Sequence, residues 1–446
     1  MITIQNARIV NLGREYTGYV AIDGEFIHAM GDGAAPEALL AASQEVIDAA
    51  GMLLIPGCID DHVHFREPGL THKADIASES RAAVAGGVTS YMDMPNTKPL
   101  TITAEALEEK FDIAARSSVA NYSFFIGATN DNIDTLLSID NKRVAGVKLF
   151  LGSSTGNMLV DESDVLHRLF RECRTLISVH SEDEAIIRER RAFYTGRFGE
   201  DLSVFYHPLI RSAEACYVCT ERAVELARRY GTRLHVAHIS TARELELFWA
   251  EPLLDKRITA EACVHHLWFT DNDYASLGTR IKCNPAIKTT ADRNALRDAV
   301  NNGAIDLIAT DHAPHLLSEK QGGALTAASG SPYVQFSLIM MLELVRQGVF
   351  STVTVVEKMC HAPAMLYNID RRGILRPGYY ADIVLIDTNT RHTVTKEDVL
   401  SKCGWSPLEG TTFHSRVVKT FVNGKCIYSD GVVADNLASH PLKFNR

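Results

Sequence analysis

Alternation constrains this chain more than any other feature. From about residue 53 to residue 309, short apolar β-type runs and helical stretches take turns at the spacing of βαβ units. The candidate strands are residues 53–59, 90–94, 122–126, 146–150, 176–179, 234–237, 258–263 and 307–309. Helical periodicity lies between them at 76–85, 104–116, 213–230 and 293–301. Eight such strands over roughly 300 residues predict an α/β fold, a closed (β/α)8 TIM-type barrel rather than an open sheet. The stretch 182–208, between the fifth and sixth strands, is long and charged and is expected to be a lid or surface loop.

Both ends of the chain have a different rhythm. Residues 7–10, 19–22 and 26–30 are β-rich, and Asp23-Gly24 is a tight-hairpin signal. Residues 381–386, 418–422 and 426–428 repeat the pattern around Asn423-Gly424. Neither end is long enough to bury a sizeable core alone. The expectation is one small β-sandwich domain formed by both termini, from residues 1–54 and 366–446, flanking a barrel of residues 55–365. Pro377-Gly378 marks the return into it.

Composition then narrows the function. The 446 residues carry a net charge of −10, which argues against a nucleic-acid partner. No apolar run approaches the ~20 residues of a membrane-spanning helix, so no membrane partner is expected. The first residues have neither the basic nor the apolar segment of a secretion signal. The nine cysteines are scattered, which predicts a reduced, cytoplasmic protein. Seventeen histidines, several of them clustered, invite a search for a metal site.

Asp60-Asp61-His62-Val63-His64 follows the first barrel strand. In extended chain His62 and His64 point the same way and can bind one metal. Taken alone the pair is a weak signal, and its plain reading is two surface or turn histidines. Position supplies the rest: His180 ends strand five, His238 strand six and Asp311 strand eight. Barrel active sites lie at the C-terminal ends of strands, so these side chains are expected to converge on one mouth. Four histidines and one aspartate hold two cations only if something bridges them, and Lys148 stands near the end of apolar strand four. A protonated lysine beside two divalent metals is electrostatically untenable. A neutral amine can instead take up carbon dioxide as a carbamate with two ligand oxygens. Without metals nearby, a lysine snorkelling to the rim fits as well.

These residues also carry a resemblance. The run from Pro56-Gly57-Cys58-Ile59-Asp60-Asp61-His62-Val63-His64 to Phe65-Arg66-Glu67-Pro68-Gly69 resembles the amidohydrolase superfamily, and within it the dihydroorotases. So do residues 83–87, Met94-Pro95-Asn96-Thr97-Lys98-Pro99 and Thr310-Asp311-His312-Ala313-Pro314-His315. A weaker echo follows in residues 373–378 and Ala381-Asp382. The resemblance implies two zinc ions per chain, with His62, His64 and Asp311 on the more buried one. His180 and His238 would hold the other, with carboxylated Lys148 bridging. It further implies that Arg66, Asn96 and His315 hold the carboxylate of a small-molecule substrate, that Asn284 contacts its ring, and that the chain is a homodimer. On spacing alone, Arg66 also fits a rim salt bridge with Glu67.

The activity so implied is reversible hydrolysis of (S)-dihydroorotate to N-carbamoyl-L-aspartate, a step of de novo pyrimidine biosynthesis, with Asp311 as general base and then acid. Arg66 argues against the relatives, since allantoinase-like sequences usually have Asn there and dihydropyrimidinases lack Arg-Glu-Pro-Gly. An allantoinase- or dihydropyrimidinase-like cyclic amidase remains the alternative, and a catalytically inactive scaffold the next. Three departures stand out. Leu151-Gly152-Ser153-Ser154 lacks the bridging Asp of some dihydroorotases, which favours Lys148. Residues 331–337 replace a Gly-rich segment ending in Glu-Thr, and Asn284-Pro285-Ala286-Ile287-Lys288 replaces Asn-Pro-Pro-Leu-Arg. Cys216 and Cys219 read as free thiols on one helix, and His265-His266 as structural rather than ligating.

Overall fold

The computed structural model describes residues 1–152, 158–160 and 162–446. Eight parallel strands form one sheet in strict chain order, from Cys58–Val63 to Leu307–Ala309. The two edges meet through a parallel bridge between Val63 and His312, and His64 N donates to His312 O at 2.7 Å. The sheet is thus a near-closed barrel. Its strands are buried almost throughout, as covered parallel strands must be, which explains why they read as apolar runs.

The helices Ile76–Ala85, Ala104–Ser117, Ala213–Tyr230 and Thr290–Asn302 lie where the periodicity places them. Asp75, Thr103, Ser212 and Thr289 cap their first turns with side-chain oxygens. The 182–208 stretch differs from the expected lid or surface loop: it contains a 15-residue helix, Glu184–Phe198, capped by Asp183. Only Ile187 of that helix is buried, so it has no apolar stripe to announce it.

The run 53–59, expected as one strand, is two. Leu53–Pro56 pairs with the terminal strands, while Cys58–Val63 opens the barrel. The chain changes sheet at Gly57, where a Cβ would lie 2.0 Å from Thr89 Oγ1. The termini join in a nine-stranded sheet that includes Ile2–Asn11, Arg14–Asp23, Phe26–Asp32, Ile383–Asp387, Arg416–Val422 and Lys425–Ser429. This sheet folds over a core holding Ile9, Ile22, Leu54, Ile383 and Phe421. Its two hairpin tips touch, because Gly424 approaches the Gly24 carbonyl so closely that a Cβ there would sit 2.0 Å from the oxygen. The last residues leave the sheet. Leu442 N donates to Tyr122 O, and Leu442 and Phe444 pack with Met92, Phe125, Leu176 and Leu307, sealing the barrel end opposite the mouth.

Candidate active site

His62 and His64 leave the first barrel strand pointing to one side. His62 Nδ1 donates to Glu261 Oε1 at 3.0 Å, and His64 Nδ1 to Asn96 Oδ1 at 2.6 Å. These partners assign both protons to Nδ1 and leave each Nε2 an acceptor. Both Nε2 atoms face Asp311 Oδ1, at 3.4 Å and 3.0 Å. Three electron pairs therefore converge with no proton between them, an arrangement that a cation satisfies.

The second pair adjoins the first. His180 ends the strand Ile177–His180, and His238 follows Leu234–Val236. His180 Nε2 lies 3.0 Å from Glu182 Oε2, and its Nδ1 faces His238 Nε2 at 2.9 Å. The rings of His62 and His238 are centred 5.3 Å apart. Lys148, in the strand Gly146–Phe150, is 1% exposed, and its Nζ has no hydrogen-bond partner among the described residues. Burial pulls its ammonium pKa down, against the pull of Glu261 and Asp311 upward.

Around these groups lies a cavity of about 520 Å³. It brings together His62, His64, Arg66, Asn96, Lys148, His180, His238, Asn284, Asp311 and His315. Arg66 does not pair with Glu67, whose Oε2 accepts from Ile76 N instead. Arg66 Nε donates to Pro314 O at 3.0 Å. His315 Nδ1 accepts from Lys73 Nζ and its Nε2 donates to Ser329 O, both at 3.1 Å. With that tautomer, Arg66 Nη2 has no acceptor in the nearby Nε2 and can turn to a bound anion. Asn284 Oδ1 is buried without a partner among the described residues.

Three of these residues have left-handed backbones: Arg66 (φ 69°), His238 (φ 42°) and Asp311 (φ 45°). Each such non-glycine conformation costs about 1–3 kcal/mol, so the surrounding fold is holding strained backbone in order to aim these side chains.

Sequence reasoning missed the carboxylates behind the histidines. Glu261 accepts from His62 Nδ1 and also from His238 N at 3.0 Å, so one side chain orients both histidine pairs. A lone charge inside the apolar strand Ile258–Cys263 was the available signal. Glu182, fully buried, is ion-paired with Arg211 and steadies His180. Cys216 and Cys219 are buried free thiols on the helix Ala213–Tyr230. His265 and His266, with Cys263, form a separate buried group outside the cavity lining; His266 Nε2 donates to Pro285 O and His265 stacks on Tyr333. Of Leu151-Gly152-Ser153-Ser154, the two serines lie outside the described residues. Beyond His315 the cavity wall includes Ala324, Leu325 and residues 327–330, just ahead of the 331–337 run.

The amidohydrolase family profile matches residues 53–427. A dihydroorotase of Halobacterium salinarum is 34% identical over 93% of this chain and 94% of its own length. An allantoinase of Bacillus velezensis is 30% identical over 96% and 94%. Among solved structures, the L-hydantoinase (dihydropyrimidinase) of Arthrobacter aurescens superposes with a TM-score of 0.93 at 25% identity, covering 99% of each chain.

Proposed function

The chain belongs to the amidohydrolase family, and on that premise we propose that it is a dihydroorotase, reversibly hydrolysing the cyclic amide of (S)-dihydroorotate to N-carbamoyl-L-aspartate for pyrimidine biosynthesis. One observation carries the choice of substrate. Beside the convergent metal-type donors sits Arg66, a buried guanidinium without a carboxylate partner among the described residues. A planar donor fork kept out of water calls for a ligand carboxylate, and a dihydroorotate ring has one where hydantoin, allantoin and dihydrouracil do not.

His62, His64 and Asp311 would hold one zinc ion and His180 and His238 a second, and Lys148, as a carbamate, would supply the remaining ligand oxygens. The donor set fits: imidazole nitrogens with free lone pairs, a carboxylate, and a buried amine with no partner. Cations held there supply Lewis acidity, lowering the pKa of the attacking water and polarising the scissile carbonyl.

The chain's own residues do the rest. Arg66 and Asn96 grip the substrate carboxylate, His315 turns its Nε2–H from the Ser329 carbonyl to that carboxylate when the ligand binds, and Asn284 Oδ1 accepts from a ring N–H. With Asn96 Oδ1 taken by His64, its amide nitrogen is the group that faces the ligand. Asp311 takes a proton from the attacking water and passes it to the departing ring nitrogen as the C–N bond breaks. Holding the ring at several points aligns its carbonyl for attack.

Arg66→Ala should raise KM for dihydroorotate about 10–100-fold while kcat changes much less, as expected for a lost charged hydrogen bond. An unchanged KM refutes the assignment. Glu261→Gln should weaken metal affinity about 10–100-fold, read by titration against a chelator, because His62 loses the partner that sets its tautomer. Turnover of dihydroorotate compared with allantoin, hydantoin and dihydrouracil separates this reading from that of a general cyclic amidase, which the allantoinase relative keeps in view. No helix among the described residues is long and apolar enough to cross a membrane. We place the enzyme in the cytoplasm as a homodimer, and light scattering of the purified chain tests the assembly.

A further inference from the structure

Two buried lysines, Lys282 in the cavity lining and Lys320 behind it, have no carboxylate partner among the described residues. Lys320 is 1% exposed, and its ammonium is enclosed by three backbone carbonyls, those of Lys282 (3.0 Å), Ala328 (2.8 Å) and Gly330 (2.7 Å). All three donors of the ammonium are used, and none meets a carboxylate. Lys282 is likewise buried and donates to the Ala327 carbonyl. Together the two lysines pin residues 327–330, the stretch whose Ser329 carbonyl accepts from His315 and which faces the cavity. Arg66 stands near Lys320 and also lacks a carboxylate partner. Glu319, the acid next to Lys320 in the chain, is ion-paired with Lys73 at 2.7 Å.

Carbonyl dipoles solvate a buried ammonium but do not cancel its charge. Two lysines and a guanidinium held out of water at one wall stay fully charged only at a cost, which the lysines relieve by losing protons and which an anion joining them offsets. Resting on the reading of a carboxylated ring, we propose that Lys320, supported by Lys282, is a positioning residue that selects for the substrate's carboxylate. It clamps residues 327–330 into the wall and adds a charge that only an anionic ring completes.

This arrangement has a proton signature. Facing Lys320 are Lys282 and Cys283 from the segment before Asn284, Arg66 from the loop after the first strand, His315 and Glu319 from its own stretch, and Cys403 from the C-terminal region. Burial foremost, with Lys282 and Arg66, lowers the Lys320 ammonium to about 7 against the opposing pull of Cys283 and Cys403. Burial and then Arg211 lower Lys282 to about 8. Without ligand, both lysines lose their protons as pH rises through these values, and a bound carboxylate raises both pKa values again. Binding between pH 7 and 8 therefore draws in protons, and KM climbs with pH over the same window.

The test uses the full-length, metal-loaded protein. Orotate, a ring acid with the same carboxylate, is titrated calorimetrically at about pH 7.5 in two buffers of different ionisation enthalpy, where uptake of roughly half a proton or more per site is expected. In Lys320→Met the uptake should fall, and KM for dihydroorotate should rise about tenfold with kcat kept within about twofold. No uptake by the wild-type protein overturns the proposal whether or not the variant folds. Equal uptake in both proteins, an unchanged KM, or a loss confined to kcat overturns it as well. Wild-type turnover of dihydroorotate without proton uptake sinks this inference alone. Orotate binding with uptake but no dihydroorotate turnover sinks the functional reading and leaves the anion selectivity standing.

Discussion

Asp311→Asn is expected to lower kcat by about 10³–10⁴-fold while the protein stays folded, because the variant keeps an oxygen near His62 and His64 but cannot hold a proton. The substitution isolates charge from shape. Asparagine tolerates left-handed backbone better than most residues, so the φ of 45° at this position adds no new strain. Some metal should remain, since the histidine lone pairs are untouched. Steady-state kinetics beside a metal count and a thermal melt decide the matter, and a kcat within tenfold of the wild type removes Asp311 from its proton-carrying role.

Lys148→Met is the second large effect. Methionine nearly matches the lysine stem in length and leaves the strand Gly146–Phe150 packed. It also removes a buried nitrogen that has no hydrogen-bond partner among the described residues, a defect worth about 1–3 kcal/mol. The metal-free variant should therefore melt at or above the wild-type temperature. Turnover should nonetheless fall by about 10³-fold or more, and bound metal should drop, because no carbamate can form. The carbamate itself is tested directly: wild-type protein equilibrated with carbon-13 bicarbonate should show a carbamate carbon resonance that Lys148→Met lacks. Full activity and full metal content in the variant overturn the bridging role.

Together these two experiments separate stability from function at one site. The buried amine at Lys148 and the left-handed backbone at Arg66, His238 and Asp311 are each unfavourable for folding. Their presence in one cavity is explained by what they hold in place.

The primary sequence made the barrel legible because fully covered parallel strands must be apolar and amphipathic helices must be periodic. The strands Gly146–Phe150, Ile258–Cys263 and Leu307–Ala309 and the helices Ile76–Ala85 and Ala213–Tyr230 have the bounds read from that pattern. The helix Glu184–Phe198 escaped because it buries one residue, and a solvated helix leaves little trace in hydrophobic order. The break at Gly57 escaped because an apolar run looks the same whether it serves one sheet or two.

At the site, local spacing was enough to set His62 and His64 side by side and to put His180, His238 and Asp311 at strand ends, since strand geometry is a property of the chain itself. Only the tertiary structure decided which partner each side chain would meet. Glu261 lies 199 residues from His62 along the chain, and the carbonyls around Lys320 come from two separate loops. Tautomer, proton affinity and unbalanced charge arise from those through-space neighbours, because Coulombic and hydrogen-bond energies depend on distance in space and not on position in the sequence.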